Sequence, residues 1–249
     1  MSTVVIKIGG SLITDKRRPF TLNERALEEV AEGIASIRDG ARRIVIVHGG
    51  GSFGHYAVQQ SRGDTRKLLT DVTYWMTFLN HKVVHALIQH DVSAVGLPTW
   101  LVARGSKEGL IVETGLVAKL LEVGVVPVTH GGLINTDEGF KILSGDTLAS
   151  KLAVKLPASA LIFLMDVEGV YTEDPRVNPS ATLLTVLRRS DLDRIRGGSS
   201  GVDVTGGLML KLNEAIHAAE RGVNVALGSV KALRSIVEGV EGRYTRVIP

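Results

Sequence analysis

The feature that most constrains this chain is His48-Gly49-Gly50-Gly51-Ser52-Phe53-Gly54-His55, directly after the apolar run Arg43-Ile44-Val45-Ile46-Val47. An uninterrupted β-branched run predicts a strand buried on both faces, as in a parallel sheet. Three glycines at its end let the backbone turn sharply and let a charged group reach main-chain N–H groups. A helix starting near Ser52 would aim its unpaired amides and its dipole at the same place. The spacing from Gly49 to Gly54 is close to that of a P-loop, but His55 follows where Lys and then Ser or Thr are required, so this is no Walker A sequence. Taken alone, a glycine triplet fits a tight turn as well as an anion cradle.

The same arrangement recurs along the chain. Thr3–Ile8 reads as a first strand, with Lys7 inside it and Gly9-Gly10-Ser11 at its C-terminal end, where open α/β sheets bind ligands. A lysine in an apolar strand is costly unless its head reaches an anion or snorkels to water, and the adjacent glycines favour the anion. Lys16, Arg17 and Arg18 lie in the next loop, and one of them is expected near phosphate. Thr21 and Glu24 read as a capping box for a helix with Leu27, Val30, Ile34 and Ile37 on its apolar face and Gly40 at its end. Residues 61–69 read as a mobile polar segment and 70–89 as a helix. On that helix Trp75, Met76 and Leu79 are ordinary core positions or, in part, the lining of a pocket for an apolar substrate tail.

Strands follow near 92–95, 110–112 and 125–128, with a helix from Glu113 to Val123. The 125–128 strand ends in His130-Gly131-Gly132, and a hairpin turns at Asp137-Glu138-Gly139. Ser144-Gly145-Asp146 opens a helix. Ala160–Met165 is a strongly apolar strand followed by Asp166 and Tyr171. Residues 172–182 and 197–201 read as loops, and Thr205 as the N-cap of a helix carrying Gly206, Gly207 and Lys211. Residues 223–227 form a late strand and 244–248 an edge strand. Strands and helices alternate throughout, which predicts an α/β protein with a mainly parallel central sheet sandwiched by helices in three layers. The chain of 249 residues suits a single domain with two lobes, about 1–155 and 156–249.

Composition removes other classes. A net charge of +3 and 4% aromatic residues argue against a nucleic-acid surface. No apolar run approaches a membrane span, no signal-peptide pattern precedes the first strand, and there is no cysteine. A cytoplasmic protein without membrane or nucleic-acid partners is expected. The 28 glycines are clustered at strand ends and helix starts, together with Lys7, Lys16 and Lys211. Such a set would surround many anionic oxygens, as phosphoryl transfer requires.

Lys7-x-Gly9-Gly10-Ser11, His48-Gly49-Gly50-Gly51, Ser144-Gly145-Asp146, Asp166-Val167-x-Gly169-Val170-Tyr171 and Thr205-Gly206-Gly207-x-x-x-Lys211 resemble, in order and over nearly the whole chain, the amino acid kinase superfamily. Within it, Gly51-Ser52-Phe53-Gly54-His55 is similar to the isopentenyl phosphate kinases, with fosfomycin kinases as the nearest rival. The resemblance implies that Lys7, Gly9, Gly10 and Ser11 hold ATP phosphates and that Gly51, Asp166, Tyr171, Gly207 and Lys211 contact ATP. It implies that Lys16 stabilises the transferred γ-phosphoryl group and that Asp146 orders the lysines. Gly50, His55 and Gly145 would bind the acceptor phosphate. It implies Mg²⁺ carried with ATP rather than by protein ligands, isopentenyl phosphate as acceptor, a homodimer, and an acceptor lobe preceding a nucleotide lobe. Met165, Glu168 and Leu208 depart from the usual family residues. Another small phosphate or phosphonate as acceptor, or a nucleotide-binding protein without turnover, are the competing expectations. Retention of Lys7, Lys16, Asp146 and Lys211 together speaks against the latter.

Overall fold

The β-branched runs assemble side by side into one sheet in a computed structural model that describes residues 2–38, 42–196 and 206–249. β1 (Ser2–Ile8) passes through the one-turn helix α1 (Gly10–Ile13) to α2 (Glu24–Ser36) and β2 (Arg42–His48). The glycine loop opens α3 (Gly51–Ser61), and the long α4 (Thr65–Gln89) leads to β3 (Ala94–Gly96). α5 (Thr99–Val102), the hairpin β4 (Ala103–Ser106) and β5 (Gly109–Val112), and α6 (Gly115–Glu122) precede β6 (Val126–His130). A second hairpin, β7 (Gly132–Thr136) and β8 (Gly139–Leu143), is followed by α7 (Gly145–Lys155) and β9 (Ala160–Leu164). The chain ends with β10 (Val186–Leu187), α8 (Asp191–Arg196), α9 (Gly206–Glu220), β11 (Asn224–Gly228), α10 (Leu233–Glu238) and β12 (Tyr244–Val247).

Among the described residues, eight strands form the main sheet in the order β10-β12-β11-β9-β1-β2-β6-β3. Every neighbouring pair is parallel except β11 with β12. Period-2 alternation divides the strand residues between two cores. Val4, Ile6 and Ile8 join Ile44, Ile46, Ile162 and Leu164 under α2, α3 and α4. Val5 joins Val45, Val47, Leu161 and Phe163 under α6, α7 and α9. Helices on both faces of a largely parallel sheet give the three layers expected. Lys7 has the parity of Val5 and stands between Val47 and Phe163, on the α7/α9 face. Because β1, β2, β6 and β9 are parallel, their C-terminal tips share one edge of the sheet.

Several local expectations are corrected. Thr21 is not the N-cap of α2: the helix begins at Glu24, and Asn23 accepts from the Ala26 amide. Thr21 is occupied elsewhere, with its hydroxyl donating to the Pro19 carbonyl and its backbone bonded to Ser52 Oγ. The polar stretch 61–69 is largely helix, because Asp64 caps α4 by accepting from the Arg66 and Lys67 amides. β12 is not an edge strand. The two-residue β10 pairs outside it, and a strand that short shows no periodicity to read. Gly40, the 197–201 loop and Thr205 lie outside the described residues.

Asn23→Ala should lower stability by about 1 kcal/mol in urea unfolding through loss of the cap. Thr21→Ala should stay within about 0.5 kcal/mol. The reverse ranking would restore the Thr21 cap.

Candidate active site

The four strand tips are tied in a staircase. The Gly9 amide donates to the Leu164 carbonyl at 2.9 Å, that of Gly49 to Ile8 at 2.9 Å, and that of Gly131 to His48 at 3.0 Å. A side chain on Gly10 would collide with the backbone of Gly49 and Gly51, so the first two glycine loops touch main chain to main chain. Gly51 has φ +50°, and a Cβ there would also meet Thr14 Oγ1. Thr14 fastens the two loops by donating to the Gly10 carbonyl at 2.7 Å and accepting from the Ser52 amide at 2.9 Å. The result is a floor of bare backbone where the helices α1, α3 and α7 begin, with first-turn amides that have no intrahelical partner.

Lys7 rises from this floor. Its Nζ lies 2.8 Å from Asp146 Oδ1, and the same oxygen lies 2.7 Å from Lys211 Nζ. β1, the first turn of α7 and the second turn of α9 therefore meet at one carboxylate. Burial, followed by the Lys211 charge, lowers the Lys7 pKa from 10.5 to about 8, against the opposing pull of Asp146. Burial would raise the Asp146 carboxyl, but the two lysines together hold it below the usual range. With two cations on one anion, the cluster carries excess positive charge that a phosphate would complete.

Around it opens a cleft of about 650 Å³. Lys7, Asp146 and Lys211 line it together with Gly9, Gly10, Ser11, Gly50, Gly51 and Gly145 from the strand tips. Lys16 also lines it, whereas Arg17 is turned to Asp15, accepted by Oδ1 at both its backbone and its side chain. His55 projects from the start of α3 at the end beyond the glycine triplet. Asp166, Tyr171, Gly207 and Leu208 line the same cleft. Glu168, one of the departures from the family pattern, accepts from the Tyr171 hydroxyl at 2.7 Å and from Arg243 through both oxygens.

The structure does not bring the whole suggested tail pocket to the cleft. Met76 lines it, with Val58 and Val72. Leu79 is fully buried in the core beneath α4, and Trp75 stacks on Phe20 at 4.0 Å. One apolar stripe runs the length of α4, but of its residues only Val72 and Met76 line the cleft. Sequence reasoning also missed residues 173–176. Arg176 reaches back from that loop to Asp166 Oδ2 at 3.3 Å while bonding Asp174 Oδ1 at 3.2 Å. The Asp174-Pro175 turn was readable; its return to the cleft was not.

The amino acid kinase family model matches residues 2–229. An isopentenyl phosphate kinase of Methanothermobacter thermautotrophicus is 31% identical, covering 98% of this chain and 97% of the relative. One from Haloferax volcanii is 34% identical over 87% and 88%. A structure of the Thermoplasma acidophilum isopentenyl phosphate kinase product complex superposes with a TM-score of 0.81 at 25% identity, covering 99% of this chain and 100% of that one.

Asp146→Asn should cost about 3 kcal/mol near neutral pH, because buried Lys7 and half-buried Lys211 lose their shared counter-charge. The sign with pH follows from Lys7. Its folded pKa of about 8 lies below the usual lysine value of 10.5, so its buried charge costs stability in full below about pH 8, and that cost falls away between about pH 8 and 10.5. Without Asp146 that pKa falls further, so the deficit should shrink as pH is raised; a deficit growing with pH in urea melts would contradict this. Leu79→Ala should cost about 2–5 kcal/mol and leave substrate KM values unchanged. A selective rise in acceptor KM would place Leu79 in the site after all.

Proposed function

The chain belongs to the amino acid kinase family, and from that premise we propose that it phosphorylates isopentenyl phosphate with ATP to give isopentenyl diphosphate. The observation that carries this reading is the single cleft. Lys7, Lys16 and Lys211 line it, and so do His55 and the apolar side chains Val58, Val72 and Met76, which pack in one cluster. The lysines suit a triphosphate; His55 with the apolar cluster suits a phosphate bearing a short hydrocarbon. A polar phosphonate acceptor would find no comparable partners in that cluster. The curated relatives named isopentenyl phosphate kinase, matched over nearly their full length, support the same choice.

The chemistry asks little of the protein beyond placement. A phosphate monoester loses its second proton near pH ~6, so at neutral pH the acceptor oxygen is already a nucleophile and needs no base. That oxygen forms a bond to the γ-phosphorus, the bond from γ-phosphorus to the β,γ-bridging oxygen breaks, and ADP leaves with the electron pair. Lys7 and Lys211 would hold ATP phosphates, with Asp146 fixing both amines. Lys16 would follow the charge on the transferring group. His55 and the amides of Gly50 and Gly145 would hold the acceptor phosphate, and Gly51, Asp166, Tyr171 and Gly207 would contact ATP. Residues 1–155 would thus supply most of the acceptor side and 156–249 most of the nucleotide side.

Mg²⁺ would enter on ATP, neutralising its oxygens. Among the described residues no group of three His, Cys, Asp or Glu side chains is placed to hold an ion. Among the described residues, too, no helix is long and apolar enough to cross a membrane. A cytoplasmic location and a homodimer are proposed on the family resemblance alone.

ATP consumption with isopentenyl phosphate should far exceed that with fosfomycin or glutamate, and the opposite preference would reject this reading. His55→Ala should raise the acceptor KM while ATP binding persists, whereas Lys16→Ala should depress kcat more than either KM. Equal loss of ATP binding in His55→Ala would remove His55 from the acceptor side.

A further inference from the structure

His48 and His130 end the neighbouring strands β2 and β6 in register, and the mechanism above uses neither. Both rings are buried, with centroids 5.3 Å apart. His48 Nδ1 lies 3.1 Å from the Gly49 carbonyl, which only accepts, so Nδ1 carries the proton. His48 Nε2 lies 3.2 Å from Asn80 Nδ2. That nitrogen also faces the Val128 carbonyl at 3.2 Å, which identifies it as the amide donor. Nε2 therefore accepts and bears no proton. His48 is held neutral in one tautomer, and burial, reinforced by His130, lowers its pKa to about 3.

His130 repeats the pattern. Its Nδ1 lies 2.9 Å from the Gly131 carbonyl, while the Thr99 hydroxyl donates to the His130 carbonyl at 2.7 Å. Gly131 in turn donates to the His48 carbonyl, which locks the two tips together.

The consequence lies one peptide further on. The carbonyl and N–H of a trans peptide point in opposite directions, and the described residues contain no cis peptide. With the Gly49 carbonyl turned to the buried ring, the Gly50 N–H is turned away from it. Gly50 lines the cleft and is the N-cap of α3, so its amide has no intrahelical acceptor. A peptide between two glycines has little steric preference of its own, and something must hold its orientation.

We propose that His48 is a positioning residue for the acceptor phosphate: its Nδ1–H pins the Gly49 carbonyl and thereby presents the Gly50 amide to that phosphate, with His130 bracing the tip through Gly131. The inference rests on the acceptor-phosphate reading of this end of the cleft.

Two substitutions separate positioning from packing. In His48→Asn the side-chain amide nitrogen takes the place of Nδ1 and can still donate to Gly49. In His48→Gln the amide reaches the place of Nε2 and faces Asn80 instead. Steady-state kinetics and melting temperature are measured for both. His48→Gln should raise the KM for isopentenyl phosphate roughly tenfold or more, as for a lost hydrogen bond to a charged group, with the KM for ATP unchanged. His48→Asn should keep the wild-type acceptor KM even though it is the smaller side chain and melts lower. Acceptor KM tracking melting temperature, or both KM values rising together, would overturn the positioning role. A wild-type chain that does not turn over isopentenyl phosphate would instead overturn the acceptor reading. Should both variants fail to fold, the Gly50 amide resonance of wild-type protein is followed as isopentenyl phosphate is added. A downfield shift is expected, and an unmoved resonance would overturn the proposal.

Discussion

One carboxylate oxygen holds two lysine amines, and the rest of the site follows from that contact. Asp146 Oδ1 lies 2.8 Å from Lys7 and 2.7 Å from Lys211. Burying two like charges beside a single counter-charge is costly, and the depressed Lys7 pKa records that cost. The arrangement becomes balanced when an anion joins it. A cluster with a surplus of positive charge suits phosphate and the charge that moves during its transfer.

The sheet exists around this contact as a positioning frame. Parallel pairing brings the ends of β1, β2, β6 and β9 to one edge, and parity along β1 turns Lys7 toward α7 and α9. Glycines at the tips allow main chain to meet main chain, and the backbone of those tips lines the cleft. Catalysis of this kind needs no general base; it needs a donor and an acceptor phosphate held in line, which is what rigid strand tips supply better than loops.

Much of this was legible from residue order alone. Lys7 inside an apolar strand, glycine clusters after strands, and Asp146 and Lys211 at helix starts all predicted a shared anion site, and the structure places them in one cleft. The alternation of strands and helices predicted the three layers. What failed depended on distances that a linear reading does not contain. Thr21 and Glu24 have capping-box spacing, yet Asn23 wins the cap because Thr21 is drawn to Pro19 and Ser52. Trp75 and Leu79 share the stripe of Met76, but Trp75 packs on Phe20 and Leu79 in the core, and only Val72 and Met76 of α4 line the cleft. Arg176 gave no periodic or spacing signal, since its partner Asp166 is ten residues away across an irregular loop. His48 was read as the edge of the glycine loop, and only its buried partners Asn80 and Gly49 reveal that it has a defined tautomer.

The most direct test of the shared-carboxylate account is the titration of the Lys7 side chain, followed by NMR of the labelled amine with and without a non-hydrolysable ATP analogue. The account predicts a pKa of about 8 in the free protein and a clear rise once phosphate oxygens lie against the amine. A value near 10.5 in the free protein, unmoved by the nucleotide, would contradict it.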